Sequence, residues 1–168
     1  MPTPITVFAV PPEADAAFVA APRAPDAVLY RALRADVDFR FVAIGGADAP
    51  GPSGFPAHGA LYEVVREDAT PDVEGGVVLI NPFEVPEAED DRFLAGWDEA
   101  RGALAGQQGY LGTRLHQAID RAAFRYVNVA RWSSPLMVAR ALRRPDFQRA
   151  AEALPFASHP ALYQVAGD

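Results

Sequence analysis

The chain has 168 residues, half of them apolar, enough for one medium domain or two small ones with a real core. It contains no cysteine and no lysine, which excludes disulfides, thiolate catalysis, Schiff bases and lysine general bases. A net charge of −7 with no basic run excludes a nucleic-acid footprint, and no apolar run approaches the ~20 residues of a membrane helix.

In chain order, Met1–Val10 opens as a strand; no charged region precedes its apolar residues, so no leader peptide is read and a cytoplasmic protein is expected. A short helix fits around Glu13–Ala21, stopped by Pro22 and Pro25. Strands follow within Ala27–Ile44. The segment Gly45–Pro56 is too rich in Gly and Pro for a helix, and Phe55–Val64 returns to strand character. Residues 69–76 read as a linker.

Val77–Val85 is a β-branched strand, and Pro86–Leu104 a helix with acids crowding its first turn. Phe93, Trp97, Ala100 and Leu104 fall on one face of that helix, which places Trp97 in the core. Tyr110–Ile119 and Phe124–Trp132 read as strands. Ser134-Pro135 is an N-cap with proline at the first helical position, opening a helix to about Arg143. A second helical piece runs over Asp146–Ala153, and Leu162–Ala166 closes the chain as a strand.

The chain also contains an uneven copy of itself. AVLYRALRADVDFRFVAI (27–44) matches TRLHQAIDRAAFRYVNV (113–129), and FPAHGALYEV (55–64) matches FASHPALYQV (156–165). Phe8-x-Val10 with Phe18 matches Phe83-x-Val85 with Phe93. Three blocks in one order mark a duplication. The expected organisation is a degenerate repeat at 1–68, a linker at 69–76 and a complete repeat at 77–168. The fold class is α+β: two tandem ferredoxin-like β-α-β-β-α-β units. The first, short of helix, is expected to pack its sheet face to face against the second.

The C-terminal motifs VVLINPFEVPEAEDDRFLAGWDEAR, QQGYLG and Asn128-x-x-x-Trp132 resemble the antibiotic biosynthesis monooxygenase family. The resemblance spans roughly Gly75–Val165. It implies small α+β units whose sheets pair into a dimeric barrel, here as an intrachain pseudo-dimer, and oxidation of aromatic polyketides by O2 without metal or flavin. It also implies that Asn128 and Trp132 sit in the substrate pocket. Asn81 matches an asparagine of haem-degrading relatives, but the second helix of the repeat has no histidine to ligate iron, so no cofactor is expected.

Strand alternation puts Phe124, Tyr126, Asn128, Ala130 and Trp132 on one face and Val127 and Val129 on the other. The aliphatic face is expected under the helices. The polar face would then look into the space between the sheets, collecting Asn81, Phe83, Arg114, His116, Phe124, Tyr126, Asn128 and Trp132 in one cavity. Phe39 and Phe41 of the first repeat would line the opposing wall. His116 is the candidate base, Arg114 the counter-charge, and Asn128 the hydrogen-bond donor to an oxyanion or peroxide. Asn128 aligns with Ala43 and His116 with Tyr30, so one site per chain is expected, with Gly45–Pro56 as a candidate gate. His58 and His159 recur in both repeats and read as structural.

The function expected is a cofactor-independent monooxygenase or oxidase acting with O2 on a polycyclic phenolic compound. The alternatives are a cyclase or isomerase on a similar substrate, or a non-catalytic binding protein. The partners expected are a small aromatic substrate and O2, no metal, no nucleic acid and no membrane, with the chain a monomeric pseudo-dimer or a homodimer.

Overall fold

The computed structural model describes residues 1–46, 54–68 and 76–167. The first repeat contributes β1 (Thr3–Phe8), α1 (Asp15–Ala20), β2 (Val28–Ala32), β3 (Phe41–Ile44) and β4 (Ala57–Glu67). The second contributes β5 (Val77–Phe83), α2 (Asp90–Leu104), β6 (Tyr110–Ala118), β7 (Tyr126–Trp132), α3 (Pro135–Leu142), α4 (Pro145–Glu152) and β8 (Ala161–Val165). Residues 69–75 of the linker and 47–53 of the expected gate lie outside the described residues.

The eight strands form one closed antiparallel barrel in the order β1-β3-β2-β8-β5-β7-β6-β4. Within each repeat the second strand lies beside the third and the first also pairs with the third, the ferredoxin-like core arrangement. The repeats meet at two seams, β4 with β6 and β2 with β8. The sheets therefore do more than face each other: they share hydrogen bonds at both edges. Closure satisfies the open edges that each half would otherwise expose.

The ladders show a pseudo-twofold axis residue by residue. Tyr30 pairs with Val42 and Val165, while His116 pairs with Val127 and Val64. Ile5 pairs with Ile44 and Ala60, while Ile80 pairs with Val129 and Ala161. Side chains repeat the relation. Phe18 stacks on Phe41 with ring centres 4.5 Å apart, and Phe93 on Tyr126 at 4.2 Å. The Tyr62 hydroxyl donates to the Phe124 carbonyl and the Tyr163 hydroxyl to the Phe39 carbonyl, both at 2.7 Å. Arg40 pairs with Asp15 as Arg125 pairs with Asp90, each at 2.7 Å.

Alternation along the strands separates two compartments. Ile5, Val7, Val42, Ile80, Val127 and Tyr163 fill the barrel interior. The outer face of the second repeat lies under helices: Tyr126 and Phe83 pack with Phe93 and Trp97 of α2, and Ala130 and Trp132 with Val138 and Ala141 of α3. The Ser134 hydroxyl caps α3 by accepting from the Met137 amide, with Pro135 at the first turn, where no amide is needed. In the first repeat the six residues of α1 carry one buried side chain, Phe18, onto the corresponding face.

Candidate active site

A cavity of about 280 Å3 lies between the outer face of the second repeat and its helices. Its floor is the sheet: Leu79, Asn81 and Phe83 from β5, Thr113 from β6, Asn128 and Ala130 from β7. Its roof is the inward stripe of α2, with Trp97, Ala100, Arg101 and Leu104, closed by Phe147 and Leu154 from the α4 region. Helical spacing of three and four residues puts those α2 side chains on one face, so the helix that covers the sheet also shapes the cavity.

Two carboxamides dominate its polar chemistry. Asn81 and Asn128 are directly opposite each other on β5 and β7. The Asn128 Oδ1 accepts from the Thr113 hydroxyl at 2.6 Å, and the Asn81 Oδ1 accepts from the His159 backbone amide at 3.1 Å. Each carbonyl is thus anchored in the protein, which fixes the rotation of each amide. Neither NH2 group has a hydrogen-bond partner among the described residues, and both residues line the cavity. Two amide groups open to an apolar chamber, and without a protein partner among the described residues, can each donate to an oxygen acceptor.

The rim is ionic. Arg101 and Tyr110 line the cavity, and both bond to Asp68, the residue following β4 of the first repeat; Arg101 Nε donates to its Oδ1 at 2.8 Å, and the Tyr110 hydroxyl donates to its Oδ2. Burial alone would raise the Asp68 pKa, but the bonds from Arg101 and Tyr110 and the guanidinium charge outweigh it and hold the carboxyl low. The Tyr110 hydroxyl is pushed well up, by burial first and then by its bond to the Asp68 carboxylate. It therefore keeps its proton at neutral pH. The first repeat thus supplies the clamp that sets two lining side chains of the second.

Of the residues expected in one cavity, Asn81, Phe83 and Asn128 line this one. Tyr126 and Trp132 share the same sheet face but are fully buried beside it. Tyr126 lies under Phe93 with its hydroxyl on Asp90 at 2.8 Å, and Trp132 lies edge-on to Tyr110 at 5.3 Å. The Trp132 Nε1 is buried without a partner among the described residues. The structure does not bring His116, Arg114, Phe124, Phe39 or Phe41 here. His116 and Arg114 project from the opposite face of β6 into the barrel. Phe124 and Phe39 meet at a barrel end, 5.4 Å apart, in a cluster with His58 and His159. Phe41 lies in the core beneath α1.

The reason is one of sides. Period-two alternation separates Asn128 from Val129 correctly but does not say which set faces the helices. The interior takes Val127 and Val129 from β7 together with Ile5, Val42 and Ile80, so Tyr126, Asn128 and Trp132, on the other face of the same strand, lie outward under the helices. Trp97, Arg101 and Tyr110 were missed as lining residues. The signal for Trp97 and Arg101 was present, since they are four apart on the inward side of α2.

Among the described residues no cluster of three or more His, Asp or Glu is placed to hold a metal ion. Among the described residues no histidine or methionine lines the cavity and its tyrosine is engaged by Asp68, so these residues offer no axial ligand for haem iron. Among the described residues no helix is long and apolar enough to cross a membrane.

Comparison with known proteins decides the family. The model for antibiotic biosynthesis monooxygenases matches residues 76–153, the part of the chain that builds most of this cavity. The chain belongs to that family. A candidate monooxygenase from Shewanella loihica PV-4 is 38% identical over 55% of this chain and 95% of its own, with a TM-score of 0.48. SnoaB, a cofactor-independent oxygenase from Streptomyces nogalater, is 28% identical over 55% of this chain and 94% of its own, with a TM-score of 0.50. An anthrone oxidase-like protein is 13% identical but covers 99% of this chain and 91% of its own, with a TM-score of 0.71, so both repeats share its fold. No curated protein matches the chain.

Proposed function

We propose that this family member is a monooxygenase that oxidises a flat phenolic polycycle with O2 in the cavity between α2, α4 and the sheet. The observation that carries the reading is the pair of carboxamides, Asn81 and Asn128, opposite each other on β5 and β7, anchored through their carbonyl oxygens and lining an apolar chamber. At about 280 Å3 the cavity is at the small end of ligand pockets (~300–1,000 Å3), which favours a compact planar substrate of few rings.

An anthrone-type substrate defines the stoichiometry. One ring methylene and one O2 give one ring carbonyl and one water, so one oxygen atom enters the product and the other leaves as water. The substrate supplies all the electrons. Loss of a methylene proton gives an enolate, whose oxyanion the two amide groups stabilise. O2 adds at carbon, the peroxide anion takes back one proton from water, and the hydroperoxide loses water as its C–H and O–O bonds break. Trp97 and Phe83 supply ring contacts that hold the polycycle flat against the sheet.

His116 is on the other side of the sheet and cannot serve as the base here. Tyr110 holds its proton, and Asp68 is engaged by Arg101 and Tyr110. The proton therefore leaves to water at the rim, which restricts the enzyme to substrates acidic enough to enolise unaided. Arg101 beside the rim takes the counter-charge role expected of Arg114.

The test is O2 consumption with anthrone, without added metal or flavin, with the quinone identified by mass spectrometry. Uptake of O2 matched by quinone supports the reading. Product formed under strict anaerobiosis would point instead to a cyclase or isomerase, and saturable binding without product to an accessory protein.

A further inference from the structure

The two histidines that recur in the repeats, His58 and His159, are alike in sequence and unlike in surroundings. Both rings stand at one end of the barrel, edge-on to Phe39 and Phe124, with His159 5.4 Å from each. Of the two, only His159 is held by acids. Its Nδ1 is 2.6 Å from the Oδ2 of Asp38, which lies between β2 and β3 of the first repeat. Its Nε2 is 3.3 Å from the Oε2 of Glu84, directly after β5 of the second. Matching VDFRF (37–41) with AAFRY (122–126) puts Ala123 where Asp38 stands, and matching Phe8 with Phe83 puts Ala9 where Glu84 stands. Accordingly, among the described residues the His58 ring has no hydrogen-bond or ion-pair partner.

The backbone of His159 reaches the candidate active site. Its N–H lies 3.1 Å from the Asn81 Oδ1 and 3.1 Å from the Pro82 carbonyl, one donor shared between two acceptors. A small displacement of this peptide would give the N–H to one acceptor and release the other. Once released, the Asn81 amide would turn about its last side-chain bond, a broad and roughly two-fold torsion. Alternation places Ser158 and Pro160 in the cavity lining, while the His159 ring points to the barrel end. The ladders equate Ile5 with Ile80, so Thr6 stands in the first repeat where Asn81 stands in the second. The half without the carboxamide is therefore also the half without the acids.

We propose that His159 is a positioning residue for Asn81. Asp38 and Glu84 fix its ring, the ring fixes the peptide N–H, and the N–H holds the Asn81 carboxamide in the orientation that leaves its NH2 free. The inference rests on the reading of Asn81 as a donor to the substrate oxyanion, and brings its aim under the control of the first repeat. The Asp38 and Glu84 side chains are 69% and 52% exposed, and ion pairs so exposed contribute little to stability. What the bridge sets is geometry.

Side-chain amide spectra of the 15N-labelled full chain test the positioning without turnover. The Asn81 NH2 pair is identified by its loss in Asn81→Ala. His159→Ala should shift that pair, and His58→Ala, at the equivalent ring, should leave it in place. Asp38→Ala keeps the ring and should shift the pair likewise, which separates loss of the clamp from loss of a nearby aromatic and serves if His159→Ala does not fold. Asp38→Asn, which keeps an acceptor for Nδ1, should restore the parent position. With anthrone, His159→Ala should lower kcat about tenfold at unchanged KM. In the Asn81→Ala background it should add no further loss. The proposal is overturned by an Asn81 pair unmoved in both His159→Ala and Asp38→Ala, by an equal shift in His58→Ala, or by losses in kcat that add in full. Should the parent not oxidise anthrone, the oxygenase reading fails alone, and the amide signals still decide the positioning.

Discussion

Replacing Asn128 with alanine is expected to separate its proposed role as oxyanion donor from its part in stability. The side chain is held to the protein by the 2.6 Å bond from the Thr113 hydroxyl. Thr113 keeps a second acceptor, the Val129 carbonyl at 3.3 Å, so its hydroxyl is not orphaned by the change. The loss in stability should therefore be that of one ordinary hydrogen bond, about 0.5–1.5 kcal/mol. In a chain of this size that lowers Tm by roughly 2–5 °C. Removing a donor aimed at a developing oxyanion costs far more in rate, about 10²–10³-fold in kcat, or roughly 3–4 kcal/mol. Differential scanning calorimetry and an oxygen electrode with anthrone measure the two effects on the same preparation. A kcat within about twofold of the parent, in a variant with the expected small Tm loss, would refute the donor role. Asn81→Ala should behave alike, because its amide is anchored in the same manner by the His159 backbone.

The remaining predictions concern the frame. Tyr62→Phe and Tyr163→Phe should each lower stability by about 1 kcal/mol in urea unfolding and by similar amounts, because their 2.7 Å bonds are related by the pseudo-twofold axis; a loss in only one would mean the seams are unequal. Burial pushes the Tyr62 hydroxyl up to about 12, so its phenolate absorbance should appear only well above the pH at which exposed tyrosines titrate. Asp90 is held below the usual carboxylate range by the bond from Arg125, with the Tyr126 hydroxyl adding to it against the opposing effect of burial. The folded state thus prefers the ionised form: the stabilisation is complete above the unfolded carboxylate pKa of ~3.9 and is lost as pH falls through the lower folded value. Asp90→Asn should flatten that acid limb in pH-dependent melts. Gly109 has φ +91°, and a Cβ there would lie 2.5 Å from the Met137 Cβ, so Gly109→Ala should cost about 2–3 kcal/mol and lower Tm by roughly 4–12 °C.

Much of the frame was legible because it rests on local chemistry and on repetition. The strands of both repeats, the cap at Ser134, the acid-led start of α2 and the Gly/Pro limit after β3 follow from residue types and spacing. The duplication needed only comparison of the chain with itself. Its matched phenylalanines, Phe18 and Phe93, occupy equivalent stacks in the structure. Asn128 stood out because an amide inside a strand needs a partner or a purpose.

The sequence by itself determined the two repeats, their order of elements and which side chains share a strand face. Only the tertiary structure decided which face is which. Alternation is symmetric about the sheet, and nothing in the pattern of Tyr126–Trp132 distinguishes the barrel interior from the space under the helices. Closure decided it. Once β4 joins β6 and β2 joins β8, the face of β7 that carries Val127 and Val129 turns into the barrel, and the carboxamides turn outward beneath α2. The same choice moved His116 into the barrel and away from Asn128. It also let Asp68, from the first repeat, hold Arg101 and Tyr110 at the rim of the second. That contact spans 33 residues of sequence and exists only because the two halves share a seam.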